Sequence, residues 1–113
     1  MQSNHLDQLT QLLKRARPRL ASTHELEFKN VFGAVGGYVN SNIFISCGTF
    51  GVALRLPPAP LERVFREKGV KHLQYFPKGH IKKEYAVLPK RILEDKKQFG
   101  ALVEISLSYA CGD

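Results

Sequence analysis

The chain has only two cysteines in 113 residues, Cys47 and Cys111, and no Cys-x-x-Cys pair. That excludes a zinc knuckle and a thioredoxin-like redox motif. In a reducing compartment both read as free thiols. Cys47 falls in an apolar strand and reads as a small core residue, and Cys111 as an exposed one near the C-terminus. No apolar run approaches the roughly 18 to 20 residues that a membrane span needs. Residues 1 to 8 lack the basic start and apolar stretch of a secretory signal. The expectation is a cytoplasmic protein with no membrane partner.

Catalytic signatures are missing as well. The glycine run at 33 to 37 lacks the Gly-Lys-Ser/Thr ending of a phosphate loop, and no helix is predicted after it. There is no Gly-x-Ser-x-Gly elbow and no recognisable Cys/His/Asn arrangement. The four histidines, His5, His24, His72 and His80, do not pair at ligand spacing and have no carboxylate or cysteine cluster beside them. Glu25 and Glu27 share a strand face, but no second carboxylate pair accompanies them for acid–base work. No enzyme, no cofactor and no metal centre is expected.

What is present suits one globular domain. Hydrophobic residues make up 43% and charged residues 24% of the chain, enough apolar material for a core. The net charge of +7 biases the surface toward acidic partners.

Leu6, Leu9, Leu12, Leu13 and Ala16 recur at helical spacing, which predicts a helix over 3–16 that Pro18 stops. Residues 24–32 alternate and read as a first strand. Residues 36–39 and 43–47 read as a hairpin around Asn40-Ser41-Asn42. After a turn at 48–51, Val52, Leu54 and Leu56 alternate with Ala53 and Arg55, the pattern of a half-buried strand. Pro57, Pro58 and Pro60 lead into a short helix through Leu61, Val64 and Phe65, ending near Gly69. Residues 72–76 and 82–88 read as two more strands joined by a turn at 77–80. Pro89 opens a last helical region, with a break expected around 95–98. This order predicts an α+β two-layer domain. Its curved antiparallel sheet has about five strands, and helices at the N-terminus, middle and C-terminus pack on one face.

The stretch 29–56 carries a family-level pattern. Lys29, Val31, Phe32, Gly33, Gly36, Gly37, Tyr38, Asn40, Asn42 and Phe44 form a basic, Phe-Gly, glycine-aromatic and Asn-turn series, followed by Leu54-Arg55-Leu56. Phe76-Pro77-Lys78-Gly79 and then Lys83, Tyr85, Val87, Leu88 and Pro89 continue it. In order and spacing this resembles the N-terminal domain of the TfoX/Sxy family, bacterial regulators of competence for DNA uptake. Val31 stands where the family usually has Met, and Ser41 where it has the turn glycine. The resemblance implies an antiparallel sheet flanked by helices, no catalytic residues, and a role beside a transcription-associated protein partner. Length departs from the family: full regulators carry a second, C-terminal domain, for which 113 residues leave no room, so a stand-alone single domain is expected. Phe32, Gly33, Gly36, Gly37, Asn40 and Asn42 are then structural, shaping strands and turns.

Two basic segments are the candidate anion or nucleic-acid contacts. Lys14, Arg15, Arg17 and Arg19 close the first helix. Lys78, His80, Lys82 and Lys83 lie at the last hairpin, near Tyr75, Phe76 and Tyr85. Basic groups interleaved with aromatics can hold phosphates and stack bases. The competing reading is a solvated face whose aromatics point into the core. An exposed edge strand and apolar terminal helices predict a homodimer. The functional expectation is a non-enzymatic regulatory or protein-interaction domain, with a basic nucleic-acid-binding accessory protein as the alternative.

Overall fold

Leucine spacing forms the first element, and a proline ends it. In the computed structural model, which describes residues 2–31, 33–74 and 79–112, helix α1 (Gln2–Ala16) turns Leu9, Leu12 and Leu13 into the core. Leu6, expected on that stripe, stays exposed. Beyond Pro18 a four-residue helix, α2 (Leu20–Thr23), was not anticipated. One turn is too short to show periodicity, and buried Leu20 is its only anchor among the described residues.

Strands β1 (Leu26–Val31), β2 (Ala34–Val39), β3 (Asn42–Gly48) and β4 (Gly51–Arg55) form an antiparallel meander. Helix α3 (Pro58–Phe65) leads to β5 (Lys71–Leu73) and β6 (Lys82–Leu88), then α4 (Lys90–Leu93) and α5 (Lys96–Ala110). The sheet is open and antiparallel, with six strands in the order β1-β2-β3-β4-β6-β5, one for each segment read as a strand. The break between α4 and α5 comes from Asp95, whose side chain accepts a hydrogen bond from the Gln98 N–H at 3.0 Å. The middle helix ends at Phe65, short of Gly69. The strand expected over 72–76 runs over Lys71–Leu73 and ends before Gln74; residues 75–78 lie outside the described residues.

The helices cover one face of the sheet, as an α+β two-layer domain requires. Leu9 and Leu12 of α1 and Val103 and Leu107 of α5 pack in one core with Val35, Ile45, Leu54 and Leu88 of the strands. The opposite face carries a smaller cluster of Ala53, Leu73 and Val87, with Phe50 and Tyr85 against it. Ala53 is therefore fully buried, and the strand is not half-buried as its alternation implied.

The glycine-rich meander works as a shaping device. Between Gly37 and Tyr38 the register shifts: Gly37 faces Ile45 and Tyr38 faces Ile43, so Phe44 is the extra residue of a bulge. A Cβ on Gly37 would lie 2.7 Å from Ile45 Cγ2, so the bulge needs glycine there. Asn40 (φ 51) and Ser41 (φ 71) are both left-handed, as a two-residue hairpin loop requires. Gly33 (φ 81) does the same between β1 and β2; Phe32 lies outside the described residues. Gly36 is buried opposite Ser46. The two asparagines also reach across the core. Asn42 Nδ2 donates to the Ala110 carbonyl at 2.8 Å, satisfying an acceptor in the last turn of α5, and Asn40 Nδ2 reaches Cys111 Sγ at 3.5 Å. Cys111 is consequently half-buried, where exposure was expected.

Candidate functional site

Two helices that pack on the same sheet leave a groove wherever their facing side chains are only half covered. Helix α5 points Phe99, Val103, Ser106 and Leu107 inward. Its flank carries Leu102, Ile105 and Tyr109, at i, i+3 and i+7, all half-buried. Helix α3 buries Val64 and leaves Leu61 and Phe65, at i and i+4, half-buried. Between these stripes run three depressions. The largest, about 410 Å³, lies between Leu56, Leu61, Phe65 and Tyr109 and has His72, Lys83 and Glu84 at its rim. The second, about 320 Å³, shares Tyr109 with it and adds Pro57 and Ile105. A third, about 290 Å³, shares Ile105 and lies against Val64 and Leu102. Together they line one side of α5 from Leu102 to Tyr109, about 10 Å at the helical rise.

The electrostatics of this groove have a pattern. Four glutamates line it: Glu62, Glu67, Glu84 and Glu104. Each is held by an arginine. Glu62 pairs with Arg66 at 3.3 Å, Glu67 with Arg91 at 3.3 Å and Glu84 with Arg55 at 2.9 Å, and Glu104 pairs with Arg17. Arg63 and Lys83 also line it, and among the described residues neither has an ion-pair partner. The carboxylates are neutralised and two cations are left over, so the groove is apolar with a net positive rim.

Tyr109 is fixed where two depressions meet. Its hydroxyl donates to Glu84 Oε2 at 2.7 Å, and the Arg55 guanidinium lies 4.8 Å from its ring centroid. The hydrogen bond from Tyr109, with that from Arg55, holds the Glu84 carboxyl below the usual carboxylate range. The same bond to Glu84 raises the Tyr109 phenol.

The residues singled out from sequence fall differently. Lys14, Arg15 and Arg19 are exposed at the end of α1 and in the turn after it, and Arg17 is spent on Glu104. His80, Lys82 and Lys83 are exposed at the start of β6, and Lys78 lies outside the described residues. Helix α1 packs on β2, β3 and α5, and β6 lies two strands beyond β3. Of the described cations in these two segments, only Lys83 lines the groove. Cys47 is fully buried, and burial pushes its thiol up, away from the thiolate form. Among the described residues no three of His, Cys, Asp and Glu converge as metal ligands. No helix there is long and apolar enough to cross a membrane.

The groove residues Leu61, Phe65, Leu102, Ile105 and Tyr109 were missed as a site. Their spacing reads as ordinary core stripe, and only their half exposure marks them out. Comparison of the chain with protein-family models, with curated proteins and with solved structures finds no match.

Proposed function

We propose that this chain is a non-enzymatic, cytoplasmic protein-interaction domain, homodimeric and regulatory, whose groove between α3 and α5 receives an acidic amphipathic helix of a partner. The carrying observation is the pairing of all four lining glutamates with arginines while Arg63 and Lys83 have no ion-pair partner among the described residues. A helix with apolar residues at i, i+3 or i+4, and i+7 would set them between Leu61 and Phe65 on one side and Leu102, Ile105 and Tyr109 on the other. Its carboxylates would meet Arg63 and Lys83. The resemblance to the TfoX N-terminal domain supports a partner in the transcription apparatus.

Selection from a displayed library of helical peptides tests this reading. The expected result is enrichment of sequences that combine that apolar spacing with Asp or Glu. Binding should be lost in the double variant Arg63→Glu with Lys83→Glu, while its circular dichroism stays unchanged. No enrichment over a blank surface contradicts the reading. If labelled duplex DNA instead binds with a steep salt slope and no peptide is enriched, the basic segments take over as a nucleic-acid contact.

A further inference from the structure

Strand β1 ends the sheet, and among the described residues no strand neighbours its outer edge. Its pairing with β2 shows which backbone groups face outward. The Asn40 N–H donates to the Glu25 carbonyl at 3.1 Å, so Glu25 faces β2. Backbone groups alternate along an antiparallel strand, so Glu27, Lys29 and Val31 face β2 as well. Leu26, Phe28 and Asn30 therefore present their N–H and C=O groups at the free edge. β1 is six residues long, carries no proline and pairs with β2 without a bulge, so the features in it that guard the edge are its charges, Glu27 and Lys29.

We infer that β1 pairs antiparallel with β1 of a second copy of this chain, about a two-fold axis through Phe28. The proposal rests on the homodimer of the reading above and says how it forms. Outward residues must meet outward residues, which leaves only registers that pair even positions with even ones. Centring on residue 27 would set Glu27 against Glu27 of the second copy. Centring on residue 29 would set Lys29 against Lys29. Centring on residue 26 would set Glu25 against Glu27 of the second copy. Centring on Phe28 sets Glu27 opposite Lys29 of the second copy, twice by symmetry. Both side chains are exposed and share the sheet face away from the helices. Directly opposed unlike charges stabilise a sheet pair, and like charges destabilise it. In this register Phe28 meets Phe28 of the second copy on the helix-bearing face, and Leu26 meets Asn30. Phe28 and Leu26 are half-buried against the core, so the joined sheets would cover what is left exposed. Lys29 is already steered over the Tyr38 ring at 4.9 Å, which places its ammonium on that face.

Sedimentation equilibrium on the full chain tests the register. The wild type should show a reversible monomer–dimer equilibrium between about 1 µM and 1 mM. Glu27→Lys and Lys29→Glu should each weaken the dimer about tenfold or more, because each places two like-charged pairs across the axis. The double reversal Glu27→Lys with Lys29→Glu should restore wild-type affinity. Asn30→Pro removes one outward N–H without touching the β1–β2 ladder, and should weaken the dimer while circular dichroism stays unchanged. A wild type that is monomeric at the highest concentration overturns both the homodimer and this interface. A dimer insensitive to the single reversals overturns the interface alone and leaves the homodimer standing.

Discussion

The Tyr109 hydroxyl donates to Glu84 Oε2 at 2.7 Å, and the other oxygen of that carboxylate accepts from Arg55 Nε at 2.9 Å. Helix α5 is thereby tied to β6 and β4 at the wall of the groove. The carboxylate is hydrogen-bonded at both oxygens and charge-paired by Arg55, and the ring of Tyr109 lies against the guanidinium.

Acidification should loosen this tie. The Glu84 carboxyl is held below its ordinary value by Tyr109 and Arg55. Its contribution is present above the unfolded carboxylate value of about pH 4 and is lost as pH falls through the folded value. With a side chain 49% exposed, the effect is small. Urea midpoints at neutral pH and near pH 3 should differ less in Tyr109→Phe than in the wild type. Equal acid losses in the two proteins would speak against the tie.

Ser106 is fully buried, and its hydroxyl donates to the Phe44 carbonyl at 2.8 Å, at the bulge of β3. Ser106→Ala leaves that buried acceptor without its side-chain donor, and should cost about 1 to 3 kcal/mol. Urea denaturation measures the loss. A variant as stable as the wild type would mean that the bulge carbonyl is satisfied otherwise.

Gly37 and Gly33 should answer differently to alanine. At Gly37 the added Cβ meets Ile45 Cγ2 at 2.7 Å inside the sheet, an overpacking expected to cost about 1 to 3 kcal/mol. At Gly33 a Cβ meets nothing within 4 Å, and only the φ of 81° resists it, at about 1 to 2 kcal/mol. Thermal unfolding of Gly37→Ala should also lose cooperativity near β2 and β3, which Gly33→Ala should keep. The opposite order of damage would contradict the bulge account.

Asn42→Ala should act at a distance in sequence. Its amide satisfies the Ala110 carbonyl, so its loss should free the last turn of α5. Hydrogen exchange should quicken at residues 108 to 111 and leave β1 unaffected. Unchanged protection at the helix end would rule out the pin.

Local signals on the sequence explain how much of this was legible. The meander could be read from alternation and from glycines and asparagines at turns, and the α4–α5 break from Asp95 at a capping position. Helix α2 is one turn long and leaves no period to detect. Ala53 looked solvent-facing because alternation reports one covered face; Phe50, Leu73 and Tyr85, from three other segments, cover the second. The groove was invisible for a similar reason. Arg55, Glu84 and Tyr109 are 29 and 25 residues apart, and each alone reads as a surface charge or a core aromatic. Only the fold shows that four glutamates are paired along one groove while Lys83 and Arg63 have no ion-pair partner among the described residues.

The most direct measurement is a map of amide chemical shifts in the isotopically labelled protein as a selected acidic amphipathic peptide is added. The account predicts saturable shifts confined to α3, the half-buried flank of α5 from Leu102 to Tyr109, and the start of β6 around Lys83, all abolished in Arg63→Glu with Lys83→Glu. Shifts centred on α1 or on β1, or a peptide that binds the double variant equally well, would contradict it.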